Sequence, residues 1–454
     1  ILPSVTSVTP TTKYNQISVS VVGANGTNNI SKYYYSINGG AYTESTNSSY
    51  TFTGLNEKTN YSIRVKVVDT LGKESNVYSL SVTTDAYVLP KVTNVSTSST
   101  YNSITINVSA SGGTGNVVKY YYSKDNGSNY VESSSSSYTF SDLTSDATFY
   151  VKVYVKDSNG RSSATTSTSV TTQKPTIADV CSNGTNLASC IKTFGNKGSD
   201  ISSIYIHNSS LANGAGDNSY RYAGANPNNY VCFGSTTTPC PTDNLYRIIG
   251  VFGDKVKLIK STSVGNKAWD SNNKNTWSTS SLNSYLNNEF INTFDAGAKR
   301  KIATTTWKVG GNLYSNIGSV VPATAYQNEV VNPVPNFTSN GETEYSAQIG
   351  LMYVSDYGFA AEPSAWTSAL YKYSGTAIKN VNWMFLGATE WTISRTSDYS
   401  GYAYVVHYTG VVDGGNNNCL VTLTYVVHPV FNLISSVTYA GGSGTKNSPI
   451  IIAN

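Results

Sequence analysis

Charge is scarce in this chain. Asp, Glu, Lys and Arg make up only 12% of its 454 residues, about half the usual quarter. The net charge is +4 with no long basic run, so the electrostatic footprint of a nucleic-acid or anionic-membrane binder is missing. No apolar stretch approaches the ~20 residues that cross a bilayer, and Ile1 opens the sequence without a charged-then-apolar leader. The expectation is a processed or trimmed ectodomain with no direct membrane insertion. Histidine (3) and methionine (2) are nearly absent, cysteine does not occur before Cys181, and tryptophan does not occur before Trp269.

Tyrosine is abundant instead, with 36 against 12 phenylalanines. The five cysteines include two close pairs, Cys181/Cys190 and Cys232/Cys240, with Cys419 as the odd one. No Cys-x-x-Cys is present and His207, His407 and His428 lie outside metal-ligand spacing of the cysteines. The expectation is local disulfides in a secreted or cell-surface protein, with no metal and no cofactor. Adjacent pairing is the shortest of the three connectivities that four cysteines allow.

An internal repeat is visible. Lys32-Tyr-Tyr-Tyr-Ser36 recurs as Lys119-Tyr-Tyr-Tyr-Ser123, Tyr50-Thr-Phe52 as Tyr138-Thr-Phe140, and Val82-Thr-Thr84 as Val170-Thr-Thr172. Each copy alternates apolar and polar residues, as in Ile17/Val19/Val21, Tyr61/Ile63/Val65/Val67, Ile104/Ile106/Val108 and Val151/Val153/Val155. That is the period of half-buried strands. The copies resemble fibronectin type III domains: Leu55 and Tyr61 match the tyrosine corner, whereas the second copy has Phe149 there and both lack the usual core tryptophan. The resemblance implies two immunoglobulin-like sandwiches, 1–86 and 87–173, acting as spacers.

From Cys181 onward the composition changes. Leu245–Phe252 and Lys255–Lys260 read as a hairpin with Gly253 at a turn position that needs positive φ. Ser278–Phe290 carries helical spacing behind hydroxyl caps, further helices are expected after Asp295 and near Ser364, and strands from Gly350–Ser355 onward. Residues 174–454 thus read as an α+β domain. Leu245–Phe252, Trp277–Phe290, Trp391-Thr-Ile-Ser-Arg395 and Val427–Leu433 with Gly441-Gly-Ser-Gly-Thr445 resemble C-type-lectin-like domains of bacterial surface proteins. That family is related in fold to formylglycine-generating enzymes and to variable proteins of diversity-generating retroelements. His428 stands where it commonly has arginine. The resemblance implies a compact scaffold displaying one variable face.

From Tyr402 to Tyr408 the residues alternate, with Ala403, Val405 and His407 on one side and Tyr402, Tyr404, Val406 and Tyr408 on the other. A polar Gly414–Asn418 loop follows. Tyrosine combines large area with few torsions to freeze, so a contact face of Tyr399, Tyr402, Tyr404, Tyr408, Asp413, Asn416, Asn417 and Asn418 is predicted. Trp383, Trp391, Ile393 and Val430 read as core, and Arg395 as a structural partner of backbone or carboxylate.

Catalysis is not expected. Glu362-Pro-Ser364 lacks the amide of a calcium-dependent sugar site, Cys419 stands alone in an Asn-rich loop where formylglycine-generating chemistry needs paired cysteines, and no Gly-x-Ser-x-Gly elbow is present. Asp356, Glu362, Glu390 and Asp398 are the carboxylates from which a glycosidase pair would have to come. The expected role is an adhesin-like or receptor-binding protein that recognises a macromolecular or glycan ligand. A self-assembling subunit of a filament or phage appendage and a carbohydrate-active enzyme are the alternatives.

Overall fold

The computed structural model describes residues 1–313, 320–333, 341–374, 377–378, 380–415 and 417–453. Contacts divide the chain into two compact units, Ile1–Gln173 and Lys174–Asn454.

The first unit contains two seven-stranded modules. In the first, β1 (Ser4–Lys13), β2 (Gln16–Ala24) and β5 (Ser49–Thr53) form one sheet in the order β1-β2-β5. Opposite it, β3 (Ile30–Ile37), β4 (Thr43–Ser45), β6 (Asn60–Asp69) and β7 (Tyr78–Thr83) run β4-β3-β6-β7. The second module repeats this three-on-four plan with β12-β9-β8 and β11-β10-β13-β14, its strands being β8 (Lys91–Ser99), β9 (Ile104–Ser111), β10 (Val117–Ser123), β11 (Val131–Ser133), β12 (Ser137–Phe140), β13 (Thr148–Asp157) and β14 (Thr166–Thr171). All connections pair antiparallel strands, so each module is a fibronectin type III-like sandwich. The inward positions are the predicted ones: Ile17, Val19, Ile63, Val65 and Val67 are at most 1% exposed, as are Ile104, Ile106, Val151, Val153 and Val155.

Tyrosine does the work of larger core rings. Tyr35 and Tyr122, the third tyrosines of the repeated run, are fully buried. Their hydroxyls donate to Asn47 O at 2.7 Å and Ser135 O at 2.8 Å, which satisfies the polar tip that burial would otherwise strand. At the corner of the first module the Tyr61 hydroxyl accepts from Asn56 N–H at 2.8 Å. Phe149 cannot do this. There the Thr172 hydroxyl holds the turn, donating to Thr144 O at 2.7 Å and accepting from Ala147 N–H at 3.1 Å. Thr84 makes the same pair of bonds in the first module, so the second loses only one of two ties.

The joint between the modules is closed. Tyr87 is 8% exposed, with its ring edge-on to Tyr14 at 4.7 Å and the Arg161 guanidinium 4.0 Å from its centroid. Its hydroxyl donates to Asp157 and accepts from Asn159 Nδ2. Val88 and Thr114 exchange two further bonds, both 2.8 Å.

In the second unit a nine-stranded sheet is built around the Leu245–Phe252 and Lys255–Lys260 hairpin, whose Gly253 has φ +63. Val430–Asn432 and Ile349–Gly350 extend it on one side, and Tyr230–Cys232, Ile450–Ala453 and Thr438–Gly441 on the other. A six-stranded sheet centres on Glu390–Thr396, flanked by Ala403–Val406 and Thr424–Val426. One apolar core serves both sheets, and the disulfides are Cys181–Cys190 and Cys232–Cys240. Cys419 is buried outside them.

The predicted helix around 278–290 is an α-turn, Ser281–Ser284, continued by a π-turn, Tyr285–Glu289, with the Ser280 hydroxyl capping Asn283 N–H at 3.1 Å. Asp295 caps Ala296–Arg300. Near Ser364 only a 3₁₀ turn forms, Pro363–Ala365. Gly350–Ser355 is not a continuous strand: pairing ends at Gly350 and a helix, Val354–Phe359, begins. The reason is Asp356, whose carboxylate accepts from Tyr353 N–H at 3.0 Å and caps the first turn.

Candidate ligand-binding site

The predicted tyrosine face lacks its central ring, Tyr404. Ala403–Val406 lies between Glu390–Thr396 and Val412–Asp413, and all four of its residues are at most 1% exposed. Tyr404 therefore belongs to the core, and burial pushes its hydroxyl well above the usual tyrosine range. Its ring packs on Gly414, where a Cβ would come within 2.4 Å of it. Alternation was read correctly, but both faces of this strand are covered, so neither is wet.

The other described residues of the predicted face keep some exposure, and Tyr402 pairs with Leu420, two residues from Asn418. Tyr399 is 48% and Tyr408 60% exposed, at opposite ends of the strand. Tyr402 is half-buried with its ring 5.6 Å from that of Tyr399, on a loop pinned by buried Asn275, which donates to Thr396 O, Tyr399 O and Tyr402 O. Asp413 is half-buried and accepts from Gly415 N–H at 3.2 Å. Asn417 and Asn418 are exposed in a 3₁₀ turn, and Asn416 lies outside the described residues.

Trp383, Trp391, Ile393 and Val430 are at most 4% exposed. Arg395 is fully buried, donates to Asn275 O and Glu342 O, and burial lowers it to about 10. His428 holds Glu390 at 2.7 Å, both buried, while His407 pairs with Thr409, so the two histidines serve separate partners. The nominated carboxylates are not gathered: Glu390 is with His428, Asp356 and Glu362 line different cavities, and Asp398 is half-buried elsewhere. Among the described residues no three His, Cys, Asp or Glu groups could hold a metal ion, and no helix is long and apolar enough to cross a membrane.

A different site emerges at the tip of the central hairpin, a cavity of about 240 Å³. Its floor is a buried ion network. Asp356 bridges Lys257 and Arg221, the latter at 3.6 Å, and Arg221 also holds Asp217 at 2.8 Å. The Lys257 ammonium faces the rings of Tyr353, Phe252 and Trp307 at 4.5, 5.3 and 5.8 Å. Burial pushes it below the usual lysine range against the pull of Asp356. Trp307 is fixed by a bond from Nε1 to Ala347 O at 3.1 Å and by Gly350, where a Cβ would fall 2.7 Å from the indole. Lys255, Thr306 and Lys308 form the rim, and Thr305 and Asn432 also line the cavity.

Behind the floor lies Glu329, 1% exposed, accepting from Val354 N–H, Ser355 N–H and Ser394. Burial raises it to about 7. Sequence reading missed this site because its charges pair across long separations, Lys257 to Asp356 over 99 residues. One signal was available: Lys257 sits between Val256 and Leu258 in the second strand of the hairpin, and a lysine buried there needs a carboxylate.

A family model described as a domain of unknown function (DUF6273) matches residues 253–331, the stretch that supplies Lys255, Lys257, Trp307 and Glu329. No curated protein matches the chain. Among solved structures, the central fibronectin-III array of RIM-binding protein is 15% identical, covering 38% of this chain and 71% of that chain with a TM-score of 0.17. A two fibronectin type-III domain segment from chicken tenascin is 16% identical, covering 38% of this chain and 100% of that chain with a TM-score of 0.19. The strand order of the first unit, not these scores, carries its description as two fibronectin type III-like modules.

Proposed function

We propose that this is a secreted or cell-surface, adhesin-like protein that recognises a macromolecular or glycan ligand without catalysis. Its second unit is the recognition element, and its two sandwich modules are a spacer. The observation that carries the reading is the preformed cavity above Lys257 and Asp356, a concave site with aromatic walls and a few fixed polar groups. The closed joint at Tyr87 supports the spacer role, and two disulfides suit an oxidising compartment. The C-type-lectin-like resemblance of residues 174–454 supports a scaffold built for display, with the site moved from the tyrosine strand to the hairpin tip. The carboxylate that lines the cavity, Asp356, is held between two cations, which supports a binding role.

The test is binding of the full chain to arrayed glycans and cell-surface proteins. Thr306→Trp, an exposed rim position, should fill the mouth and abolish binding at an unchanged melting temperature. Tyr399→Ala with Tyr402→Ala and Tyr408→Ala should retain it. The reverse pattern would return the site to the tyrosines.

A further inference from the structure

We infer that the hairpin-tip cavity takes an acidic monosaccharide unit, a pyranose bearing one carboxylate, and that Lys255 is the residue that meets its charge. The inference rests on reading the cavity as the recognition site and adds the ligand's chemistry.

Charge comes first. Four basic side chains line the cavity, Arg221, Lys255, Lys257 and Lys308, against one acid, Asp356. Three of the four are matched: Lys257 and Arg221 by Asp356, Arg221 also by Asp217, and Lys308 by Glu344. Among the described residues Lys255 makes no ion pair, and its side chain is at the mouth, where one anionic group can reach it without displacing the buried network. One surplus cation fits a monoanion better than a dianionic phosphate, which would leave a charge unmatched in a partly desolvated site.

Size and wall chemistry narrow the body of the ligand. A cavity of about 240 Å³ exceeds the ~150 Å³ that holds one benzene and falls below the ~300 Å³ at which drug-sized sites begin, so one ring fits. The walls offer aromatic carbon from Phe252, Trp307 and Tyr353 for the C–H face of such a ring. Thr306 offers an exposed hydroxyl, and the Asn432 amide donates to the Thr305 hydroxyl at 3.3 Å, a pair with hydrogen-bonding capacity to spare. An aromatic acid would use the rings and the lysine but not the spare hydroxyl and amide capacity. A neutral sugar would use rings and hydroxyls but not Lys255. A sugar acid engages all three.

The experiment is titration of the full chain with D-glucuronate, D-glucose and acetate, followed by calorimetry and ligand-observed NMR. Glucuronate should bind at least tenfold more tightly than either control. Lys255→Ala should weaken glucuronate at least tenfold with no change in melting temperature, and Lys255→Arg should restore most of it. Equal binding of glucose and glucuronate, or indifference to Lys255→Ala, overturns the inference. If no probe binds while Thr306→Trp still abolishes array binding, the acidic-sugar assignment fails and the cavity remains the recognition site. If Thr306→Trp has no effect either, both fail.

Discussion

Arg161 Nη1 donates to Glu57 Oε1 at 2.8 Å across the joint between the two modules, and Glu57 Oε2 in turn accepts the Tyr87 N–H at 2.7 Å. Both charged side chains are more than a third exposed, so solvent screens most of their attraction. The Arg161 bond nevertheless holds the Glu57 carboxyl below its usual range. The buried ring of Tyr87 does more.

Tyr87→Ala should therefore cost the joint about 3 kcal/mol, while Arg161→Ala should cost far less. Residual dipolar couplings on the two modules read this directly. The wild type and Arg161→Ala should fit one alignment tensor, and Tyr87→Ala should need two.

Tyr404→Ala should lower stability by about 3–5 kcal/mol, the range for removing a fully buried ring. Tyr399→Ala and Tyr408→Ala should stay within about 0.5 kcal/mol, as exposed substitutions do. Denaturant unfolding of the three variants separates core from surface on the strand that sequence reading took for a contact face.

His428→Ala should cost about 1–3 kcal/mol, because it leaves buried Glu390 without its hydrogen-bond partner. The double variant His428→Ala with Glu390→Gln should recover part of that loss, and thermal unfolding checks it. An arginine at position 428, as in the resembling family, would have to reach the same carboxylate.

Glu329 and His207 set opposite pH slopes on the second unit. Glu329 is raised to about 7 in the folded chain, so its contribution is fully present below its unfolded value of about 4.3 and is lost as pH rises through 7. His207, buried against Phe359 and Trp366, is lowered by burial to about 3. Its contribution is present above about 6.5 and is lost as pH falls through 3. The linked free energies are on the order of 3 kcal/mol for Glu329 and about 5 kcal/mol for His207. Glu329→Gln should flatten the loss of stability between pH 5 and 7, and His207→Asn should flatten the loss between pH 6 and 3, in melting temperatures recorded across that range.

How much of this was legible depended on the distance over which each interaction acts. The sandwiches were readable because one face of each strand is wet, so Ile17/Val19/Val21 and Val151/Val153/Val155 alternate with polar residues. The hairpin was readable because Gly253 marks its turn. Tyr404 was misread because alternation assigns sides but not which side another layer covers. The helix at Val354 was missed because its start is fixed by the Asp356 cap inside an apolar run. The hairpin-tip site was invisible because Lys257, Arg221 and Asp356 come from three distant segments, and only the folded chain makes their charges neighbours.

The central claim is that the second unit captures its ligand in the cavity beside Trp307. The direct measurement is a titration of the full chain, labelled at its six tryptophans, with whichever glycan the array retains, following the six indole N–H signals, that of Trp307 assigned by Trp307→Phe. Capture in the cavity requires the Trp307 signal to move in a saturable way while those of Trp269, Trp277 and Trp366 stay still. Saturable binding that leaves the Trp307 signal in place would contradict it.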